Sequence, residues 1–352
     1  MKRIVLGIIV CTMALAMCAC GGKKEGTKEK ETLTVFNMSE YLDPEVLTIF
    51  EEETGIKVEY EEATTPEEMY SKYISGAIKY DLLCTTDFMI DRLIEENELQ
   101  KVDFSTFEYA QNIGGQYWDI AKAYDENNEY ALPYFWGTLG ILYNTKKVDK
   151  PVDSWEVLFN GDYSGQIIMQ NSMRELYMVA LKYLGYSVNT TKPEEIKAAH
   201  DLLMKQKPDV QAYLVDEARD EVVAGNAVMA VIYSGEAYLG HQYNEDLAYV
   251  VPNEGSNVWI DNWVVTKNCD NMDNAKKFLD FLCREDIAEM NFEYIYYSTP
   301  NDAVVENMED ELKNDPAIVP PKSDIDKCEV SVTVDKDTLD LYNKLWKELK
   351  SE

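Results

Sequence analysis

Two short polar runs in this chain follow segments that read as strands, and both carry groups able to hold a ligand: Asn37-Met38-Ser39-Glu40-Tyr41 and Thr85-Thr86-Asp87-Phe88. Loops beyond strand carboxyl ends are where α/β folds place ligands, so amide, hydroxyl, carboxylate and aromatic groups there suit a binding wall, although an ordinary polar connection needs the same residue types. A third constellation is Trp259-Ile260-Asp261, which puts an indole and a carboxylate on one face of a strand, because residues two apart point the same way. Trp263 shares that face. Ser172-Met173-Arg174-Glu175 has the spacing of a capping box, a structural role that competes with any part its carboxylate could play in a site. The chain has no GxSxG, no HExxH and no glycine-rich phosphate loop. With two histidines, His200 and His241, and no CxxC spacing, a zinc or redox centre has little support, and no cofactor or metal is expected.

The elements that must position these groups alternate along the chain. Leu33–Phe36 reads as a strand, Asp43-Pro44 as an N-cap and first helical position, and Gly55 as the stop. Ile56–Glu61 alternates like a half-buried strand, Thr65-Pro66-Glu67-Glu68 opens a second helix with capping-box spacing, and Tyr80–Cys84 reads as a buried strand. This β-α-β-α-β opening argues for an α/β fold. Further helices are expected at about 175–184, 193–204, 274–283 and 337–350, the last packing on the surface. Further strands are expected at 166–169, 228–232, 248–251 and 259–265.

The chain has 352 residues, enough for about two domains, and 33 Lys and Arg against 65 Asp and Glu give a formal net charge of -32. Such a surface repels nucleic-acid phosphates and anionic headgroups; it mainly confers solubility and says little by itself about a cationic ligand. Met1-Lys2-Arg3, an apolar run from Ile4 to Met17 and small residues around Cys20 form a signal peptide, with residues 1–19 removed. Met17-Cys18-Ala19-Cys20 resembles a bacterial lipoprotein box, with Cys20 the lipidated residue, and residues 20–32 read as a solvated tether. Cys84, Cys269, Cys283 and Cys328 then remain, and buried free thiols are the expectation for them.

Six runs, in order along the chain, resemble the spermidine/putrescine-binding proteins of bacterial ABC transporters. They are Phe36–Tyr41, Glu53–Val58, Leu132–Gly137, Arg174-Glu175 ahead of Leu184-Gly185-Tyr186, Glu254-Gly255 with Trp259–Asp261, and Tyr297–Asn301. The resemblance implies a two-lobed, type II periplasmic-binding-protein clamshell, each lobe a mixed β-sheet flanked by helices, closing on a ligand by hinge bending. Residues 33–136 with 261–305 would form one lobe, and 137–260 with 306–352 the other. It implies a monomer on the outer face of the cytoplasmic membrane that hands a polyamine to an ABC permease and its ATPase.

The family holds polyamines with carboxylates for the ammonium groups and aromatic rings for the methylene chain. On that pattern Asp261 is the central carboxylate and Trp259 its neighbour, Glu175 a second carboxylate, and Tyr41, Tyr233 and Tyr297 aromatic walls. Ser39 and Thr86 are hydroxyl contacts, and Trp263, with no family counterpart among the ligand contacts, reads as core. Met38 replaces a Trp, Phe88 lacks a phenol oxygen, and Ser172 stands where the family usually has Asp. Glu236 resembles an acidic residue of putrescine-preferring members, and Asp87 is an additional charge. Two other readings remain: the same clamshell with another ligand, such as an organic cation, a sugar, iron(III) or thiamine, and an exported enzyme with Glu175 and Asp261 as an acid/base pair.

Overall fold

The computed structural model describes residues 31–215 and 217–351. The signal segment, Cys20 and the tether up to residue 30 lie outside the described residues. The folded body starts slightly earlier than the sequence suggests: the Glu31 carboxylate accepts from Asn274 Nδ2 at 2.8 Å, and β1 runs Thr32–Met38.

Local signals act as their chemistry requires. Asp43 caps helix Pro44–Thr54 by accepting from the Glu45 N–H, and Gly55 leaves it at φ 73°, a left-handed turn that glycine takes without strain. Thr65 accepts from the Glu68 N–H at 3.1 Å, and the Glu68 carboxylate reaches back to the Thr64 N–H at 2.9 Å, a capping box displaced by one residue.

The remaining strands are β2 (Lys57–Ala63), β3 (Leu82–Thr86), β4 (Ala131–Asn144), β5 (Ile167–Gln170), β6 (Val210–Leu214), β7 (Met229–Tyr233), β8 (Leu247–Val250) and β9 (Val258–Val265). They form one mixed sheet in the order β2-β1-β3-β9-β4-β7-β5-β6, with β8 also paired to β4. Parallel pairs lie towards both ends, β1 with β2 and β3, and β5 with β6 and β7, while β9 and β4 run antiparallel between them.

β4 was not legible as a strand. Its 14 residues contain Pro133, Gly137 and Gly140, which argue against a central strand. Each has a local reason. Pro133 sits at a bulge, where the register with β9 shifts between Pro133 and Phe135. A Cβ on Gly137 would lie 2.5 Å from Trp259 Cζ2, and one on Gly140 would lie 2.4 Å from the Val250 carbonyl oxygen. β4 changes partners midway: Ala131–Thr138 pairs with β9, then Leu139–Tyr143 with β7 and Ile141–Asn144 with β8.

Two apolar clusters flank this change. One gathers Phe36, Phe50, Phe135, Trp263 and Phe278; the other gathers Trp155, Leu176, Tyr177, Leu203 and Met229. Trp263 is core, as the resemblance implied. The C-terminal helix Lys336–Ser351 goes deeper than a surface element, since Tyr342 is buried edge-on to Tyr177 with ring centroids 5.1 Å apart. Cys84, Cys269, Cys283 and Cys328 are free thiols. Burial pushes all four up, Cys328 to about 11.

One positioning element went unread. Residues 329–334 form a strap without a named strand. Asn189 holds it on one side, donating to the Val330 carbonyl at 2.7 Å and accepting from the Val332 N–H at 3.0 Å. On the other side the Thr333 N–H donates to Asp91 at 2.9 Å and its hydroxyl to the Phe88 carbonyl at 3.1 Å. The polar-apolar alternation Glu329-Val330-Ser331-Val332-Thr333-Val334 was the available signal.

Candidate functional site

β9 presents Asp261 opposite Thr86, the last residue of β3. The loop after β1 is shaped by buried Asn37, which donates to the Tyr41 carbonyl at 3.1 Å and to the Tyr60 hydroxyl at 2.8 Å. That shaping brings Tyr41 back over the sheet, where its hydroxyl donates to Asp261 Oδ2 at 2.8 Å. Burial pushes the Asp261 carboxyl up to about 6, against hydrogen bonds from Tyr41 and Thr86 that favour its charged form.

A row of rings starts at the same place. Tyr41 meets Tyr297 with centroids 6.0 Å apart, Tyr297 meets Trp259 at 5.2 Å, and Trp259 meets Tyr233 at 6.0 Å, all edge-on. Glycines seat two of them. Trp259 lies against Gly137, and a Cβ on Gly235 would fall 1.9 Å from Tyr297 Cδ1. The row runs from the loop after β1 to the end of β7, so it joins the two sides of the sheet.

Glu175 lies in the first turn of helix Met173–Tyr183. The expected capping box does not form there. Ser172 gives its helix no side-chain cap; its hydroxyl donates to Glu175 Oε2 instead, which ties both residues together in the site region. Arg174 turns away, donating to the Val332 carbonyl at 3.3 Å and 3.4 Å. Asp87 is 2 % exposed. Its Oδ1 accepts from the Phe88 N–H at 2.7 Å and from the Thr86 hydroxyl at 3.2 Å, while its Oδ2 is buried without a hydrogen-bond partner. Burial pushes Asp87 up to about 8; the Phe88 N–H opposes this, and the charges of Asp261 and Glu175 reinforce it. Among the described residues none of Asp87, Glu175 and Asp261 forms an ion pair with a Lys or Arg, in contrast to Glu236.

Several of the expected site residues have partners within the protein. Glu236 is held by Arg219 Nη1 at 2.8 Å, so its charge is already matched within the protein. Ser39 is exposed, and its hydroxyl donates to the Ala63 carbonyl at 3.2 Å. Met38 and Phe88 are half-buried and pack on the first apolar cluster, as Tyr297 does. Glu236→Gln is expected to change ligand affinity less than threefold while lowering stability by about 1 kcal/mol or less, as for other partly exposed ion pairs, checked by calorimetric titration and thermal melts.

A half-buried carboxylate bonded to a phenol, two further carboxyls and a row of rings is an arrangement that attracts an organic cation and covers its apolar part. The fold and this site fit one class of protein, and residues 45–321 match it: the chain belongs to the family described as bacterial extracellular solute-binding protein. Within that class it is 33% identical over 343 residues to the spermidine/putrescine-binding periplasmic protein of Salmonella typhimurium, covering 96% of this chain and 97% of that one. It is 31% identical to a putrescine/cadaverine-binding protein of Pseudomonas aeruginosa over 91% of this chain and 94% of that one. Its structure superposes on the spermidine/putrescine ABC transporter substrate-binding protein of Streptococcus pneumoniae with a TM-score of 0.83 at 36% identity, covering 91% of this chain and 98% of that one. The fold is the mixed α/β architecture of type II periplasmic binding proteins.

Proposed function

We propose that the protein is the extracytoplasmic solute-binding component of an ABC importer and that it binds a polyamine, putrescine or spermidine, between Asp261 and Glu175. The observation that carries this reading is Asp261: a carboxylate drawn out of water, held by Tyr41, and placed at the end of the ring row. An ammonium group offsets the cost of that burial, and each ring adds roughly 0.5–2 kcal/mol of cation–π attraction while covering the methylene chain. The relatives' names agree with it.

The lobes we propose are residues 33–136 with 261–305, against 137–260 with 306–352. Their division near residue 137 falls where β4 is about to change partners, so bending there turns one half on the other. A ligand that touches Asp261 and Tyr41 on one side and Glu175 and Tyr233 on the other favours the closed form, which the permease then recognises. We place the protein outside the cytoplasm, anchored through Cys20, as a monomer that transports its ligand without turning it over.

Calorimetric titration of ligand-free protein with putrescine, cadaverine, spermidine and spermine tests the reading. Micromolar or tighter binding of at least one, with the amine recovered unchanged, is expected. Absence of heat with all four overturns the polyamine assignment. Binding of a different organic cation alone would reassign the site, with Met38, Phe88 and Ser172 as the retuned positions.

A further inference from the structure

Asp87 performs only half the work open to a carboxyl at its position. One oxygen is held by its own turn and by Thr86; the other is buried and unpartnered beside a carboxylate site. A buried oxygen with no donor is costly when charged and tolerable when the group carries a proton. The groups facing it are acidic or neutral: Asp261 from β9, Glu175 from helix Met173–Tyr183, and the Tyr124 phenol. Tyr124 in turn accepts from Asn262 Nδ2 at 2.8 Å. We propose that Asp87 is a proton-exchanging ligand group, neutral while the site is empty and ionised when an ammonium group arrives, so that each amine bound sends a proton to solvent.

This rests on the polyamine reading and gives that site a regulation of its own. The step balances: the O–H bond of Asp87 breaks, the proton passes to bulk water or buffer, and the carboxylate left behind is paired by the incoming cation. The ligand-free carboxyl is pushed up to about 8, so at pH 7 nearly all of it holds a proton before binding. Release approaches about one proton per amine at pH 7, and affinity rises about fivefold from pH 7 to pH 8, then levels off. Asp261, pushed up only to about 6, adds a separate loss of affinity at lower pH.

The experiment is titration of the full chain with putrescine and with spermidine at pH 7, in buffers of different ionisation enthalpy, repeated with Asp87→Asn. Buffer-dependent heat showing proton release in the native protein and none in the variant is the expected result. Binding without release, or equal release by the variant, overturns the role of Asp87 and leaves the polyamine reading intact. No binding of either amine by the native protein overturns both. Should Asp87→Asn not fold, infrared spectra of the native protein at pH 7 decide: a protonated-carboxyl band that disappears on adding amine supports the proposal, and a band unchanged or never present overturns it.

Discussion

Asp261→Asn is expected to weaken polyamine binding at least tenfold, about 1.4 kcal/mol, with the fold intact. Asparagine keeps the shape and can still accept from Tyr41, so the change isolates the charge. The ammonium group then leaves water for a site that no longer offsets its desolvation, and losses of a few kcal/mol are usual when one partner of a buried charge pair goes. The ligand-free protein shows the reverse effect. Folding raises this carboxyl from an ordinary 3.8 to about 6. The native state therefore holds the proton more tightly than the unfolded chain, and its stability falls as pH rises through that window before levelling off above it. The variant lacks this decline, so from pH 4 to pH 7 its melting temperature should fall by less, or rise by more, than that of the native protein. Native-like affinity in Asp261→Asn would remove the residue from the site.

Gly235→Ala is expected to reduce affinity about tenfold or more through sterics alone. The added methyl meets Tyr297 Cδ1 at 1.9 Å and the Tyr296 carbonyl at 3.0 Å. Backbone cannot yield cheaply there, so the ring must swing away, and the row between Tyr41 and Trp259 is interrupted. Overpacking of this kind costs typically 1–3 kcal/mol of stability. Calorimetry and a melt separate the two consequences; a variant with unchanged affinity would show that Tyr297 is not a ligand wall.

The opening α/β run was legible because its punctuation is local: Asp43, Pro44, Gly55 and Thr65 mark helix ends through their own side chains or backbone. The residues around Asp261 were placed by resemblance, since nothing in Trp259-Ile260-Asp261 alone distinguishes a site from a structural strand. What stayed hidden depended on partners far along the chain. Gly137 and Gly140 look like breaks in β4 until Trp259 and Val250 are seen against them. Glu236 reads as an available charge until Arg219 is found beside it. Ser172 reads as a cap, but its hydroxyl donates to the Glu175 carboxylate and accepts no backbone N–H of the helix. Asp87 was recognised as an additional charge, yet its burial and its unpartnered oxygen belong to the packing of β3 against β9.

The strap carries a consequence for how the molecule is made. Thr333 reaches Phe88 across 245 residues of chain, and Tyr41 reaches Asp261 across 220. Closing loops of that length is entropically unfavourable and slow, so neither contact forms until each side has its own core. Ligand recognition is therefore among the last properties a refolding chain acquires: partly folded molecules hold no amine, and a bound amine reports that the whole chain has folded. By linkage, the ligand also stabilises the contacts that formed last, because only molecules that have made them bind it.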